Sequence, residues 1–448
     1  MNDTQNIEIG IGNPEKRRGR VLRLAAAASA LSIGLAACAS GHTSSSGQGV
    51  ATVAVLSSFT GADTGYGQEG MSGCIPAVDL INAAGGVLHH KLSCQAYDDR
   101  SDPADAVPEV HKILASTPSL LMTLGSGGNT AAAVVPLFNA AKVTVFSETG
   151  QSLFNVNHYS YYWRDVPVDA SQGYAMAIAT RMLGYSHPAA VFGQNVSSQG
   201  SLPSFVQGMN LLGHPVATKV LLPTSAPSYA TQVAAIQSAH ADAVVGEIDP
   251  ASAATFTTEL KQVFGHLPPL VGDQATDESP FLKAVGGAVG ASTLRQRLTL
   301  VLPVASSTGP GFLAFKKALL SSATPNKTTY VTDSYSAADY DAIITTALAA
   351  DEAKSLASAN FERYIMPIAN GVPGATVVHT YAEGVAALAK GEKIHYEGAS
   401  GPISFDRYHN WEPGYVLSQL TPGGVKDLRL VPNSILRKLE VGQHATVG

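Results

Sequence analysis

The sequence predicts an α/β protein of two doubly wound parallel-sheet lobes, on three observations. From residue 51 onwards, short β-branched runs alternate with Ala/Leu-rich helical stretches. The strand-like runs are continuously apolar, as strands covered by helices on both faces must be. The 448-residue chain also carries too many such runs for one ordinary doubly wound domain.

The strand-like runs are "VATVAVLSS" (50–58), "KLSCQAYDD" (91–99), "LLMTLG" (120–125), "KVTVFS" (142–147), "AAVFG" (189–193), "TKVLLP" (218–223), "ADAVVGE" (241–247) and "PPLVG" (268–272). Helical stretches between them include 70–86, 104–116, 130–141 and 251–264. A first half-sheet fits 51–147 and a second sheet fits 189–272. The segment "YYWRDVPVDASQG" (161–173) reads as a crossing between lobes, and "VLPVASSTGP" (301–310) as another. The stretch 334–353 reads as a long helix returning to the first lobe. Alternation of apolar and polar residues in 401–424 suits a hairpin.

The first residues belong to a different kind of segment. Five cations (Lys16, Arg17, Arg18, Arg20, Arg23) precede "AAAASALSIGLAA", and "LAAC" ends at Cys38. That is the layout of an export signal, expected to span 1–37. The "LAAC" ending resembles the lipobox of bacterial lipoproteins, in which the cysteine is acylated; an anchor helix or an ordinary cleaved signal are the alternatives. Residues 38–49 read as a small, polar, flexible tether to an outer membrane face.

Net charge is −6, and without residues 1–37 it becomes −8. No Lys/Arg cluster follows residue 23, which argues against a nucleic-acid partner. After Cys38 the cysteines are Cys74 and Cys94. Export permits them to form a disulfide, with two separate buried thiols as the alternative. No P-loop, G-x-G-x-x-G after a strand, H-E-x-x-H, G-x-S-x-G or metal-ligand spacing is present, so no catalytic residue, cofactor or metal is expected. The acids of "YDDRSD" (97–102) read as a solvated turn with Asp102 capping a helix that starts at Pro103.

In doubly wound sheets, ligands bind outside the carboxyl ends of the strands. Those ends carry small polar residues here: Tyr66 in the loop after the first strand, Ser126, Gly127 and Asn129 in "GSGGNTAAA", and Ser147, Glu148 and Thr149 in "FSETG". "PLVGDQATD" (269–277) ends a strand with Asp273 and Gln274 side by side. Any one of these suits an ordinary turn. Four strand ends of this kind favour a small-molecule site.

Several segments together resemble the leucine/isoleucine/valine-binding-protein family: "GYGQEGMSGCIPAVDLINAAGGVLHHKLSCQAYDDRSDPADAV", "GSGGNTAAAVVPLFN", "RDVPVDASQG" and "GASGPISFD". The resemblance covers essentially 50–425, in order. It implies the type I periplasmic-binding fold: two lobes, a three-crossing hinge, and closure on a solute destined for the permease subunits of an ABC importer. Lobes are then expected at 50–165 with 302–399, and at 166–301 with 400–440.

Carried over position by position, the resemblance makes Tyr66 and Tyr335 aromatics of the cleft. It gives Ser126 and Gly127 to a ligand carboxylate, and Ser147 and Thr149 to carboxylate and ammonium. In the second lobe the match weakens: Ser197 and Ile248 stand where the family has aromatics. The family's ammonium-binding acid falls at or next to Gln274, which leaves Asp273 or Asp249 to replace it, or a solute that is not an ordinary α-amino acid. The expected function is a membrane-anchored, extracytoplasmic receptor for a small polar solute, an amino acid or amide-like compound. A ligand-sensing module for a signalling partner is the alternative, and no enzyme activity is expected.

Overall fold

The computed structural model describes residues 49–447 except 118, 305–307 and 412. The expected signal (1–37), Cys38 and all but the last residue of the tether lie outside the described residues.

Strands β1 (Val50–Ser57), β2 (Lys91–Asp98), β3 (Leu120–Gly125), β4 (Val145–Ser147) and β5 (Tyr162–Arg164) form one parallel sheet in the order 2-1-3-4-5. Helices α1 (Tyr66–Ala83), α2 (Pro103–Ser116) and α3 (Ala131–Ala140) connect them. Asp102 caps α2 by accepting the Ala104 N–H, and Pro103 follows at the first helical position. Cys74 on α1 and Cys94 on β2 are joined in a disulfide.

The chain then builds a second sheet from β6 (Ala189–Gly193), β7 (Thr218–Leu222), β8 (Val244–Val245), β9 (Leu270–Gly272) and β10 (Leu298–Pro303). Its parallel part repeats the first topology, with β7-β6-β8-β9-β10 side by side. Helices α4 (Asp169–Met182), α5 (Leu202–Leu211), α6 (Ala230–Ser238), α7 (Pro250–Phe264), α8 (Ser279–Val289) and α9 (Ala291–Arg297) belong to this half.

After β10 the chain returns to the first half through α10 (Pro310–Ser321), α11 (Ser334–Ala353), α12 (Ser358–Asn370), β11 (Thr376–Val378), α13 (Tyr381–Leu388), β12 (Ile394–Gly398) and β13 (Gly401–Pro402). Residues 335–350 of α11 are all buried, so this helix shows no polar face. It lies so close to α1 that a Cβ on Gly73 would stand 2.5 Å from the Asp339 Cβ. Only glycine permits that approach. The chain ends in the hairpin β14 (Tyr415–Thr421) and β15 (Gly424–Leu430), with β14 antiparallel to β10, and in α14 (Asn433–Glu440).

Each large sheet is therefore covered on both faces. One face of the first packs against α1 and α11, with α10, α12 and α13 completing that core, and the other against α2 and α3. The second sheet packs against α6–α9 on one face and α4, α5 and α14 on the other.

Five details differ from the sequence reading. Tyr66 does not sit in a loop but opens α1. The run 241–247 yields only the two-residue β8, and 161–173 first adds β5 to the edge of the first sheet before starting α4. The hairpin lies at 415–430 rather than 401–424. Residues 400–411 also stay with the first half rather than the second, because Phe405 and Trp411 belong to its core and Phe405 meets Trp163 edge to face at 5.0 Å. An aromatic cluster of that kind outweighs the polar alternation around it.

Candidate functional site

The order 2-1-3-4-5 places its switch point between the first and third strands of each sheet, and a crevice opens there beyond the carboxyl ends. The loops that leave those ends meet between the two halves. A Cβ on Gly128, after β3, would stand 2.9 Å from the Cα of Ser197, after β6. The Ser197 N–H donates to Asn129 Oδ1 at 3.3 Å, and Asn129 Nδ2 in turn donates to Asp63 Oδ2 at 2.6 Å. Gly65 likewise leaves room only for Pro280 from the other half, and at φ +124 it takes a backbone conformation that side chains disfavour. The halves are in contact across the crevice.

They line an open cavity whose empty space, solvent at its mouth included, is about 530 Å³. The first half contributes Tyr66, Gly128, Glu148, Gly150, Gln151 and Tyr335; the second contributes Asp169, Gln172, Ser197, Ser201, Glu247, Asp273, Gln274 and Ala275, with Val166 and Pro167 at the connection. Of the residues expected from sequence, Tyr66, Ser197, Asp273, Gln274 and Tyr335 thus come together on one wall or the other. The Tyr66 and Tyr335 rings meet edge to face, 5.2 Å between centroids.

The remaining expected residues lie behind that lining. Ser126 is fully buried at φ +66; its N–H donates to Leu56 O at 2.7 Å, its carbonyl accepts from Ser147 Oγ at 2.7 Å, and its own Oγ has no partner among the described residues. Gly127 accepts the Thr130 and Ala131 N–H groups at the start of α3. Thr149 is buried and accepts the Gln151 N–H at 3.4 Å. Asp249 caps α7 through the Ser252 N–H at 2.9 Å and does not line the cavity. Ile248 packs against the core of the second half.

Asp169 and Glu247 are acids of the lining that the sequence did not single out, and Glu148 is one that it placed at a strand end without giving it a role. Glu148 follows β4 directly, the same signal that singled out Asp273, and Glu247 follows β8 after Gly246. Two carboxyl groups on the second wall crowd each other: burial first, and then the Asp273 charge, hold Glu247 well above the usual carboxylate range. Asp273 is pushed up to about 6 by burial, against hydrogen bonding from Glu247 and from its own loop's backbone. Burial likewise pushes Asp169 up to about 7, although the Arg164 guanidinium opposes it. Burial and the neighbouring Asp165 raise Glu148 well above its ordinary value, while Ser57 Oγ donates to its Oε2 at 3.3 Å.

Chemically, the wall offers acceptors, a few amides and hydroxyls, and aromatic faces. None of the lining residues is Lys, Arg or His. No group of His, Cys, Asp and Glu among the described residues has metal-holding geometry, and no described helix is long and apolar enough to cross a membrane.

Residues 50–424 match the family model described as "Periplasmic binding protein". A Leu/Ile/Val-binding protein of Escherichia coli (strain K12) is 39% identical over 62 residues, which are 14% of this chain and 17% of that relative. The match thus spans under a fifth of the curated relative's length. Among solved structures, a leucine-binding protein from Thermotoga maritima is 18% identical with a TM-score of 0.67, over 86% of this chain and 99% of that one. A solute-binding protein of an ABC transporter from R. palustris, solved with benzoate, is 16% identical with a TM-score of 0.66, over 86% and 96%. A fatty acid ABC transporter substrate-binding protein from Thermomonospora curvata is 14% identical with a TM-score of 0.66, over 89% and 96%. These likenesses establish the two-sheet fold, and the family match spans both sheets and the cavity between them: the chain belongs to the periplasmic binding protein family.

Proposed function

We propose that the protein is an extracytoplasmic receptor that captures a small polar solute, an amino acid or amide-like compound, and presents it to the permease of an ABC importer by hinge closure. The observation that carries this reading is the cavity itself. Its lining comes from strand ends of both halves, so a bound solute touches both and favours the state in which they meet. Names among the relatives, for leucine, branched-chain amino acids, benzoate and fatty acids, support transport as the class while differing in solute. Turnover has no support in the lining, which lacks a nucleophile held by a base.

In this reading Cys38 carries the lipid that holds the receptor at the membrane, and Cys38→Ser releases it to the soluble fraction. The test of binding is a thermal-shift screen of amino acids, amides, ureas and short amines. At least one should raise the melting temperature by several degrees and be recovered unchanged. Chemical conversion of the stabilising compound would refute the receptor reading.

A further inference from the structure

We propose that the solute is a short-chain diamine or polyamine, held by one acid group on each half of the cleft; this rests on the receptor reading above and narrows its solute. Glu148 at the end of β4 and the pair Glu247 and Asp273 beyond β8 and β9 line the same cavity from opposite sides. No cationic side chain lines it with them. Arg164, whose charge is felt at Asp169, is committed elsewhere: its guanidinium donates to Tyr162 Oη at 3.0 Å, Asn155 Oδ1 at 3.0 Å and Gln151 O at 2.8 Å.

Both acid groups have unmet acceptor capacity. Glu148 is 7% exposed and Asp273 3% exposed, yet Glu148 Oε1 and Asp273 Oδ1 have no hydrogen-bond partner among the described residues. Asp339 Oδ2, also without one, lies behind Glu148; the two oxygens are 3.8 and 4.0 Å from the point where a Cβ on Gly70 would stand. A buried carboxyl oxygen left alone is costly, and an ammonium group supplies up to three donors to such oxygens.

A zwitterionic amino acid would satisfy one acid group and bring its own carboxylate towards the other. Two ammonium groups joined by a short methylene chain satisfy both. The Tyr66 and Tyr335 rings offer faces for those cations, and Val166 and Pro167 offer apolar surface for the methylenes. Burial first, and then the Asp165 charge at Glu148 and the Asp273 charge at Glu247, hold both well above the usual carboxylate range.

The test is isothermal titration calorimetry of the purified protein at neutral pH with 1,4-diaminobutane, spermidine, n-butylamine and L-leucine. Either the diamine or the triamine should bind at least tenfold more tightly than butylamine or leucine. Glu148→Gln should bring that preferred amine close to butylamine, and Asp273→Asn should weaken both amines, with circular dichroism melts establishing that each variant is folded. Leucine binding more tightly than every amine would overturn the diamine assignment and leave the receptor reading standing. Diamine binding that neither substitution alters would overturn it as well. If none of the four probes binds but the wider screen finds a neutral or acidic solute, the assignment falls alone; if no solute of any class binds, both readings fall.

Discussion

The Tyr66 and Tyr335 rings meet edge to face at 5.2 Å, and so tie the first turn of α1 to the first turn of α11 on the lining of the cavity. Chain segments almost 270 residues apart in sequence are held in register there by two aromatic side chains. The pair also forms part of the surface a solute meets. Tyr335→Ala should lower solute affinity at least tenfold, about 1.4 kcal/mol, because it removes both a contact and the support for Tyr66. Tyr335→Phe keeps the ring and should stay within about threefold. Calorimetric titration of both variants with the same solute checks this, and equal losses would contradict the ring's role.

Contact between the halves depends on glycine at position 128. A Cβ there would press on the Ser197 backbone at 2.9 Å, which no side-chain rotation relieves. Gly128→Ala should therefore hold the halves apart and weaken solute binding tenfold or more. The ligand-free melting temperature should hardly move, because each half keeps its own cores. Binding and melting measured on one sample separate the two effects.

The Cys74–Cys94 disulfide closes a short loop between α1 and β2, 20 residues apart in sequence. Replacing both by serine should cost about 3 kcal/mol of stability, as expected for loops of roughly this length. Solute affinity should be retained, since neither cysteine lines the cavity. Denaturant unfolding under oxidising and reducing conditions measures the difference, and unchanged unfolding on reduction would contradict it.

Buried carboxyls set the pH response of the ligand-free protein. Burial pushes Asp165 up to about 7, against its backbone hydrogen bond and Arg164, and pushes Asp169 to about 7 and Asp273 to about 6. Between pH 4 and 7 the folded state then holds protons that the unfolded chain has released. Stability from these groups is full below about pH 4 and is lost as pH rises through 6 and 7. The melting temperature should fall from pH 5 to pH 8. Asp165→Asn should flatten that fall and stabilise the protein at pH 8 by about 2 kcal/mol. A melting temperature that rises over this range would contradict the assignment.

Much of this architecture was legible in the sequence, and the reasons are local. Buried parallel strands announce themselves as apolar runs, so β1, β3, β6 and β9 fall where the sequence places them. Asp102 and Pro103 mark the start of α2 through their own backbone chemistry. The site was legible only in part. Asp273 and Gln274 reach the cavity from the end of β9, but Asp249, in the loop that leaves β8, spends one oxygen on the α7 N-terminus. Nothing in a linear sequence distinguishes a capping acid from a lining one when both precede helices. Glu148 carried the right local signal, an acid directly after a strand, and Glu247 a weaker one, two residues past the end of β8; the family resemblance pointed to their neighbours instead. Phe405 and Trp411 show the other limit: their destination is decided by Trp163, some 240 residues earlier.

The central claim is that this cleft binds a small solute without transforming it. Its most direct test is equilibrium dialysis of the purified protein against a mixture of amino acids, amides and short amines, followed by chromatography of both chambers. The account predicts that at least one compound accumulates on the protein side to about one molecule per chain and is recovered chemically intact. Equal concentrations of every compound in both chambers, or the appearance of a new product, would contradict it.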